Sequence, residues 1–491
     1  VIKRKFIQSS IIYTVSSALS TGASFLLLPF YTNIKLLTIS DYGALSLYIG
    51  LSLLVQVVAS FSIDFYVGVV YHESKNNPDE LKTKIASLNG YLIVIGLFII
   101  LLVAACGNFF IQHYFDNASP QSFRYLMMSV VTGIFNAHFR FYNGLLVHRE
   151  KPWRYFGANM LNFITTVGFS IGILEMFPGT LEGPLWGRLL SCFCIFLLSF
   201  GEVTFTYGIR LDKEYLKPAW QFCFPLMISA IFQWVLAYSD RYIIKPLLFN
   251  KEVAIFDLAV KCTLLVSFLL DGLMSAVSPR VFSLLRENPD EKNLKEINKY
   301  YSGFNVINLI IIPFTILVLP IILPLFISND KYLTAFLYFG IIGAGFLTRS
   351  IQNVFIFPIH VSRKTSRLIS INGISAFLQI ILGYLMVKYF KLYGAAISLN
   401  IIKILMVGLY AYYCRDLINP KLNIRKMVWL PLASLFIICI PEMFIKEFGW
   451  QMHLIHLAEF CAVLSITYLG YKNEMAGLLN WGKAQVKAKL A

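Results

Sequence analysis

Charge is scarce in this 491-residue chain. Asp, Glu, Lys and Arg make up 14% of it and 57% is hydrophobic, where a soluble domain has about 25% charged residues. With a mean hydropathy of +0.68, the composition is that of a polytopic membrane protein, and a soluble core is excluded. The usual marks of enzyme chemistry are also missing. There is no P-loop, no G-x-G-x-x-G after a strand pattern and no pair of catalytic carboxylates. Cys106, Cys192, Cys194, Cys223, Cys262, Cys414, Cys439 and Cys461 are scattered in or beside apolar runs without a C-x-x-C pair. They read as small buried hydrophobes, neither disulfides nor a metal site. Histidine is sparse. His453, His456 and Glu459 recur at three-residue spacing, but a fourth ligand is missing, so they read as a polar helix face. Acids are outnumbered, 26 against 42 Lys and Arg, for a net charge of +16. In a membrane chain such an excess gathers in cytoplasmic loops and against anionic headgroups, so it does not indicate nucleic-acid binding.

Long apolar runs are what the chain has instead. About 20 apolar residues cross the hydrocarbon core as a helix. That length predicts fourteen spans: 7–28, 43–66, 85–107, 122–147, 155–177, 185–206, 221–244, 253–279, 303–326, 332–358, 366–388, 394–414, 428–446 and 452–471. Lys3-Arg4-Lys5 precedes an apolar stretch that reaches Pro29 with no small-x-small cleavage pattern, so this stretch is read as the first span and not as a signal peptide. With the N-terminus inside, most Lys and Arg fall in cytoplasmic segments and few in external loops, which orients both termini to the cytoplasm. Every external loop is short. The basic end, with Trp481, Lys483, Lys487 and Lys489, reads equally as an interfacial helix or a frayed tail.

The chain repeats itself at a spacing of 211 residues. Tyr31, Leu36, Leu37, Asp41 and Leu47 recur as Tyr242, Leu247, Leu248, Glu252 and Leu258, and Asn77-Pro78-Asp79-Glu80 recurs as Asn288-Pro289-Asp290-Glu291. Chance accounts for matching leucines but poorly for a shared N-P-D-E in the matching loop. Internal repeats of this length point to a transporter. The expected architecture is an all-α membrane protein. It has six-helix lobes over 1–210 and 211–420, related by a pseudo-two-fold along the membrane normal, and two further helices with the basic tail over 421–491.

Chemistry in such a chain must lie within the membrane, where each ionisable residue is a functional candidate. The cations inside spans are Arg140, Arg188, Arg241, Lys261, Arg349 and Lys403; the acids are Asp64, Glu202, Asp240, Asp257, Asp271 and Glu459. Asp240 and Arg241 end span seven. Asp257 and Lys261, four residues apart on one face of span eight, start from the same side, so these four read as one network or as structural pairs. Arg140 and Arg349 lie in spans four and ten, which correspond under the repeat; His138 maps onto Arg349. Arg140, Arg349 and Lys403 have no acid within one turn of their own helix, and an unpaired cation at depth wants an anion or a wet cavity. Arg140, Arg241, Lys261, Arg349 and Lys403 are therefore the candidate substrate-binding residues, with Asp64, Asp240, Asp257 and Asp271 as structural or coupling acids. Arg188, Glu202 and Asp64 lie near span ends, where snorkelling also explains them.

Several segments resemble the Wzx-type polysaccharide flippases of the multidrug/oligosaccharidyl-lipid/polysaccharide (MOP) exporter superfamily. They are "FLLLPFYTN" ending span one, "DYG" opening span two, and "SDRYII" followed by a short turn and "A-x-F-D-L-A-x-K" in spans seven and eight. The resemblance extends over the whole chain in a 6+6+2 arrangement, and Asp240, Arg241, Tyr242 and Lys261 are the positions it carries over. It implies a MATE-like fold with two lobes around a cationic cavity and alternating access. It also implies flipping of undecaprenyl-diphosphate-linked oligosaccharides across the bacterial cytoplasmic membrane for O-antigen, capsule or exopolysaccharide assembly. The implied partners are that lipid-linked cargo, membrane lipids, and a polysaccharide polymerase and chain-length regulator. No cofactor is expected, and proton or sodium coupling stays open. Span one lacks a cation, unlike the lipid II flippases of the superfamily, which argues against a peptidoglycan-precursor role. Buried Arg and Lys suit a diphosphate through charge-assisted, partly bidentate hydrogen bonds. The rivals are a cation-coupled multidrug exporter, which should carry cavity carboxylates where the deep single charges here are mostly basic, and a membrane glycosyltransferase or polymerase, which should carry a large external loop.

Overall fold

The computed structural model describes residues 12, 13, 15, 16, 19, 22–114, 120–286, 291–327, 329–362, 364, 366–417 and 422–490. Among them there are helices and turns and no strand. In chain order the α-helices are α1 (Leu28–Tyr31), α2 (Ile39–Ser60), α3 (Ile63–Ser74), α4 (Pro78–Tyr114), α5 (Pro120–His148), α6 (Pro152–Met176), α7 (Glu182–Tyr207), α8 (Lys213–Leu248), α9 (Asn250–Arg286), α10 (Glu291–Ile322), α11 (Phe336–Ala344), α12 (Thr348–Val361), α13 (Ser366–Cys414), α14 (Ile424–Glu442) and α15 (Trp450–Leu490).

Ten helical stretches among the described residues are long and apolar enough to cross a membrane. They agree with the expected spans once three points are taken into account. The stretch Ser366–Cys414 changes direction at Lys391 (φ 55°, ψ −135°) and so contains both 366–388 and 394–414. Helices α5 and α14 lie over 122–147 and 428–446; α14 is short at 19 residues, and α5 is less apolar, carrying Arg124, Asn136, His138, Arg140 and Asn143. The expected span 7–28 lies largely outside the described residues, as do Asn288, Pro289 and Asp290. In α15 the helix turns at Tyr471 (φ −128°, ψ 33°) and stays helical to Leu490, so the basic end is helical.

The chain divides into two compact units, Val1–Ala254 and Ile255–Ala491. The first packs α3, α4, α5, α7 and α8 around Ile63, Val67, Val70, Ile85, Phe141, Leu146, Ile195 and Cys223. The second builds one cluster around Val281, Ile297, Tyr301 and Met427 and another around Ile351, Ile359, Ile371 and Cys414.

Two sequence motifs prove to be helix starts. Asn77 is the N-cap of α4: its Oδ1 accepts from the Glu80 backbone N–H (3.3 Å) and its Nδ2 donates to Glu80 Oε2 (3.2 Å), while Glu80 also meets Lys84 at 2.8 Å. With Pro78 at the first helical position, the first N-P-D-E copy caps the start of α4. In the D-Y-G segment, Asp41 exchanges hydrogen bonds with Thr38, the N-cap of α2. Tyr42 is fully buried. At Gly43 a side chain would run into the backbone of Asn250. Tyr242, from the S-D-R-Y segment, donates to Leu47 O at 2.8 Å.

Candidate functional site

Span two is broken near the end of its expected range, 43–66. Phe61 (φ 49°) and Ser62 (φ 56°) both take the left-handed conformation and separate α2 from α3. Such residues cost about 1–3 kcal/mol each, so their surroundings must hold them. The Phe61 ring packs on Trp220 (centroids 4.5 Å apart) and against Tyr91 (5.7 Å), and the Cys223 thiol points at Ser62 O (3.7 Å). Irregular backbone at membrane depth occurs where protein buries it or a cavity receives it.

Asp64 sits two residues past this break, and Arg140 Nε on α5 donates to its Oδ2 at 2.8 Å. Four residues along the same face of α5 is Gly144, where a Cβ would lie 3.2 Å from Asp64 O. One face of α5 therefore supplies both the guanidinium and the close backbone approach. The pair is partly open: the side chains are 37% (Arg140) and 13% (Asp64) exposed, and Asp64 Oδ1 accepts no hydrogen bond.

The second unit repeats the arrangement with the break on the other member. Span ten is interrupted by the 3-10 turn Gly345–Leu347 between α11 and α12. Its loosened carbonyls are met by side chains: Asn308 Nδ2 donates to Leu347 O (3.3 Å), Thr348 Oγ1 to Gly345 O (2.8 Å), and Asn400 Nδ2 to Ile341 O (2.6 Å). Arg349 follows the turn, pairs with Asp271 of α9 and donates to Ser267 Oγ at 2.8 Å. The Arg349 and Asp271 side chains are 30% and 55% exposed. Lys403 stands over the Phe346 ring at 4.4 Å; Gly345 leaves room for it and for Asn400.

The expectation that Arg140 and Arg349 lack an acid partner is thus corrected. Each has one, contributed by another helix 76 or 78 residues earlier. A search within one turn of the same helix could not find partners of that kind. Lys261 is 2.8 Å from Asp257 one turn earlier; Asp257 is 3% exposed and Lys261 15%, so the carboxylate of this ion pair is buried and the ammonium partly so. Asp240 and Arg241 are also buried; Arg241 donates to Ala237 O at 2.9 Å and stacks on Tyr238. His138 is an internal node between Asn89 Oδ1 (3.0 Å) and Ser199 Oγ (3.2 Å). Glu202 accepts from Tyr142, Arg149 and Arg154, so partners hold it and snorkelling does not describe it. The Glu459 cluster gains a member that the sequence reading missed, Glu442.

A family model described as a polysaccharide biosynthesis protein matches residues 34–328. Among solved structures, the lipid II flippase MurJ in an inward closed conformation aligns with a TM-score of 0.64 at 16% identity, over 96% of this chain and 98% of its own. An inward-facing multidrug resistance MATE family transporter of the MOP superfamily aligns with a TM-score of 0.63 at 13% identity, over 85% and 98%. The MATE multidrug transporter DinF-BH gives 0.57 at 13% identity, over 85% and 97%. At these identities the likeness is one of fold, and the fold is an all-α transporter fold. No curated protein matches the sequence.

Proposed function

We propose, for a chain that belongs to the family of polysaccharide biosynthesis proteins, that it flips undecaprenyl-diphosphate-linked oligosaccharides from the cytoplasmic to the outer face of a bacterial cytoplasmic membrane by alternating access. The observation that carries this reading is the repeated arginine–carboxylate pair, Arg140–Asp64 and Arg349–Asp271, each beside a broken helix and each partly open. A guanidinium binds a phosphate with the same forked geometry it uses for a carboxylate. The diphosphate can therefore displace the carboxylate and be displaced by it in turn. A cation bound too tightly would hold the cargo; a resident acid keeps each arginine charged, oriented and exchangeable. Lys403, beside the break in span ten, is a third contact for the headgroup. Arg241, which is buried, and Lys261, which is paired with Asp257, support their own helices. In this reading the repeat halves 1–210 and 211–420 move as the two lobes, both termini face the cytoplasm, and no covalent step is required.

The test is complementation. Arg140→Ala, Arg349→Ala and Lys403→Ala are each expected to lower surface polysaccharide at least tenfold relative to the amount of protein in the membrane, with Arg140→Lys, Arg349→Lys and Lys403→Arg milder. Normal polysaccharide in all three alanine variants would sink the assignment.

A further inference from the structure

Near the end of α14 and the start of α15 the second unit buries a set of groups that the proposed transport does not use. His456 Nε2 lies 2.7 Å from Glu442 Oε1, and both side chains are 0% exposed. Glu459, one turn beyond His456, is 3% exposed. One ligand atom from each of the three lies within 4.8 Å of the other two. Yet the three do not satisfy one another. Neither carboxylate oxygen of Glu459 accepts a hydrogen bond, and Glu442 Oε1 and His456 Nε2 are close without hydrogen-bond alignment. Atoms that converge on a common point without bonding to each other are arranged as ligands are. The backbone makes room for them: at Gly340 of α11 a side chain would overlap the Glu442 carboxylate.

Two carboxyl groups and an imidazole with unsatisfied atoms in a dry site are costly to bury unless a cation or protons satisfy them. We propose that Glu442, His456 and Glu459 bind a divalent transition-metal cation of the zinc class. The donor set decides the class. An imidazole nitrogen with two carboxylate oxygens is a zinc-type triad with room for a further ligand, whereas calcium and magnesium take oxygen ligands. His453 stands one turn before His456, its ring centroid 6.5 Å away and its Nδ1 buried without a hydrogen-bond partner, but it lies outside the group of three converging ligand atoms. The metal ties α14 to α15 and fixes the Glu442 side chain against α11.

The probe is Zn2+ itself. The full-length protein, purified in detergent and stripped with a chelator, is titrated with Zn2+ by calorimetry, and Co2+ is used in parallel for its visible absorption. One Zn2+ per chain is expected, with Co2+ bands of nitrogen–oxygen coordination. The near-isosteric Glu459→Gln and the variant His456→Gln should weaken Zn2+ binding at least tenfold; the exposed His360→Ala should leave it unchanged. If a histidine variant fails to fold, Glu459→Gln and the wild-type stoichiometry decide. Folded wild type that takes up no Zn2+, or Zn2+ binding that is equally tight in Glu459→Gln, overturns the proposal; in the first case the acids are held neutral by protons. Since the readout is metal binding and not export, the result is independent of the flippase reading.

Discussion

The pair Asp64–Arg140 separates a structural bridge from an exchangeable anion site. Consider Asp64→Asn, Arg140→Ala and the double variant. Removing Arg140 strands Asp64, which is 13% exposed and has one oxygen already without a hydrogen bond. Breaking a fully buried pair costs about 3–5 kcal/mol and a surface pair about 0.2–1 kcal/mol; a pair exposed to this degree should fall between, at about 2 kcal/mol. Removing Asp64 is cheaper, because Arg140 is 37% exposed and can turn to water. Stability should therefore fall more in Arg140→Ala than in Asp64→Asn, and the double variant should recover part of the loss. Anion binding should move the opposite way. Without Asp64 as competitor, Arg140 gains about 1.4 kcal/mol for a diphosphate, which is about tenfold in affinity. The assay is thermophoresis of the purified protein with farnesyl diphosphate, alongside melting temperature and surface polysaccharide. Asp64→Asn should bind about tenfold tighter but export less, because release is impaired, while Arg140→Ala should bind weakly and export little. If Asp64→Asn leaves diphosphate affinity unchanged while both single variants melt early, the pair is a structural bridge and the exchange mechanism is wrong.

Other outcomes test the remaining parts. Lys261→Ala should destabilise by about 3 kcal/mol or more, because it strands Asp257, and adding Asp257→Asn should restore the melting temperature; an uncompensated double variant would rule out the local pair. Asn77→Ala should cost about 1 kcal/mol through loss of the α4 cap, seen as a lower melting temperature with unchanged export at permissive temperature, and lost export in stable protein would give N-P-D-E a role beyond capping. Gly345→Val should push Lys403 and Asn400 out of place and reduce export more than abundance; the reverse ranking would make the glycine a packing residue. Cysteines placed at 178–184 should react with an impermeant reagent in intact cells and Asn77→Cys should not, and labelling at 77 would invert the proposed orientation.

Span positions were legible because lipid demands a length and a polarity that few other constraints imitate. The helix starts at Thr38 and Asn77 were legible too, once read as caps: side chain, spacing and following helix agree. The break at Phe61–Ser62 was not. Left-handed positions usually advertise themselves with glycine, and here neither residue is one, so the break exists only because Trp220, Tyr91 and Cys223 come together from distant segments. The break in span ten left a trace in Gly340, Gly343 and Gly345, though not its location. Ligand sets suffered the same loss. His453, His456 and Glu459 share one helix and drew notice, while Glu442 joins them from the preceding helix and is invisible to spacing within one element.

Register explains why the two arginine pairs escaped a position-by-position reading of the repeat. A shift of 211 residues carries His138 onto Arg349 and Arg140 onto Ile351, which is fully buried. Followed literally, the repeat denies Arg140 a counterpart. The structure keeps the interaction and relaxes the positions: each copy places a carboxylate on its second span and an arginine on its fourth, within about one helical turn of strict correspondence. Slippage of that size is available because one span of each pair departs from regular α-helix, span two at the left-handed Phe61–Ser62 beside Asp64 and span ten at the 3-10 turn Gly345–Leu347 beside Arg349. An intact helix would fix the angular position of every side chain at about 100° per residue, and a slip of two residues would turn the arginine nearly to the opposite face. A break uncouples the two halves of the span, so the charged side chain can be aimed separately from the packing face that anchors it. Helix discontinuity and ion pairing in this chain are therefore one device, and a substitution that straightened either span should misdirect the charge even if every charged residue were retained.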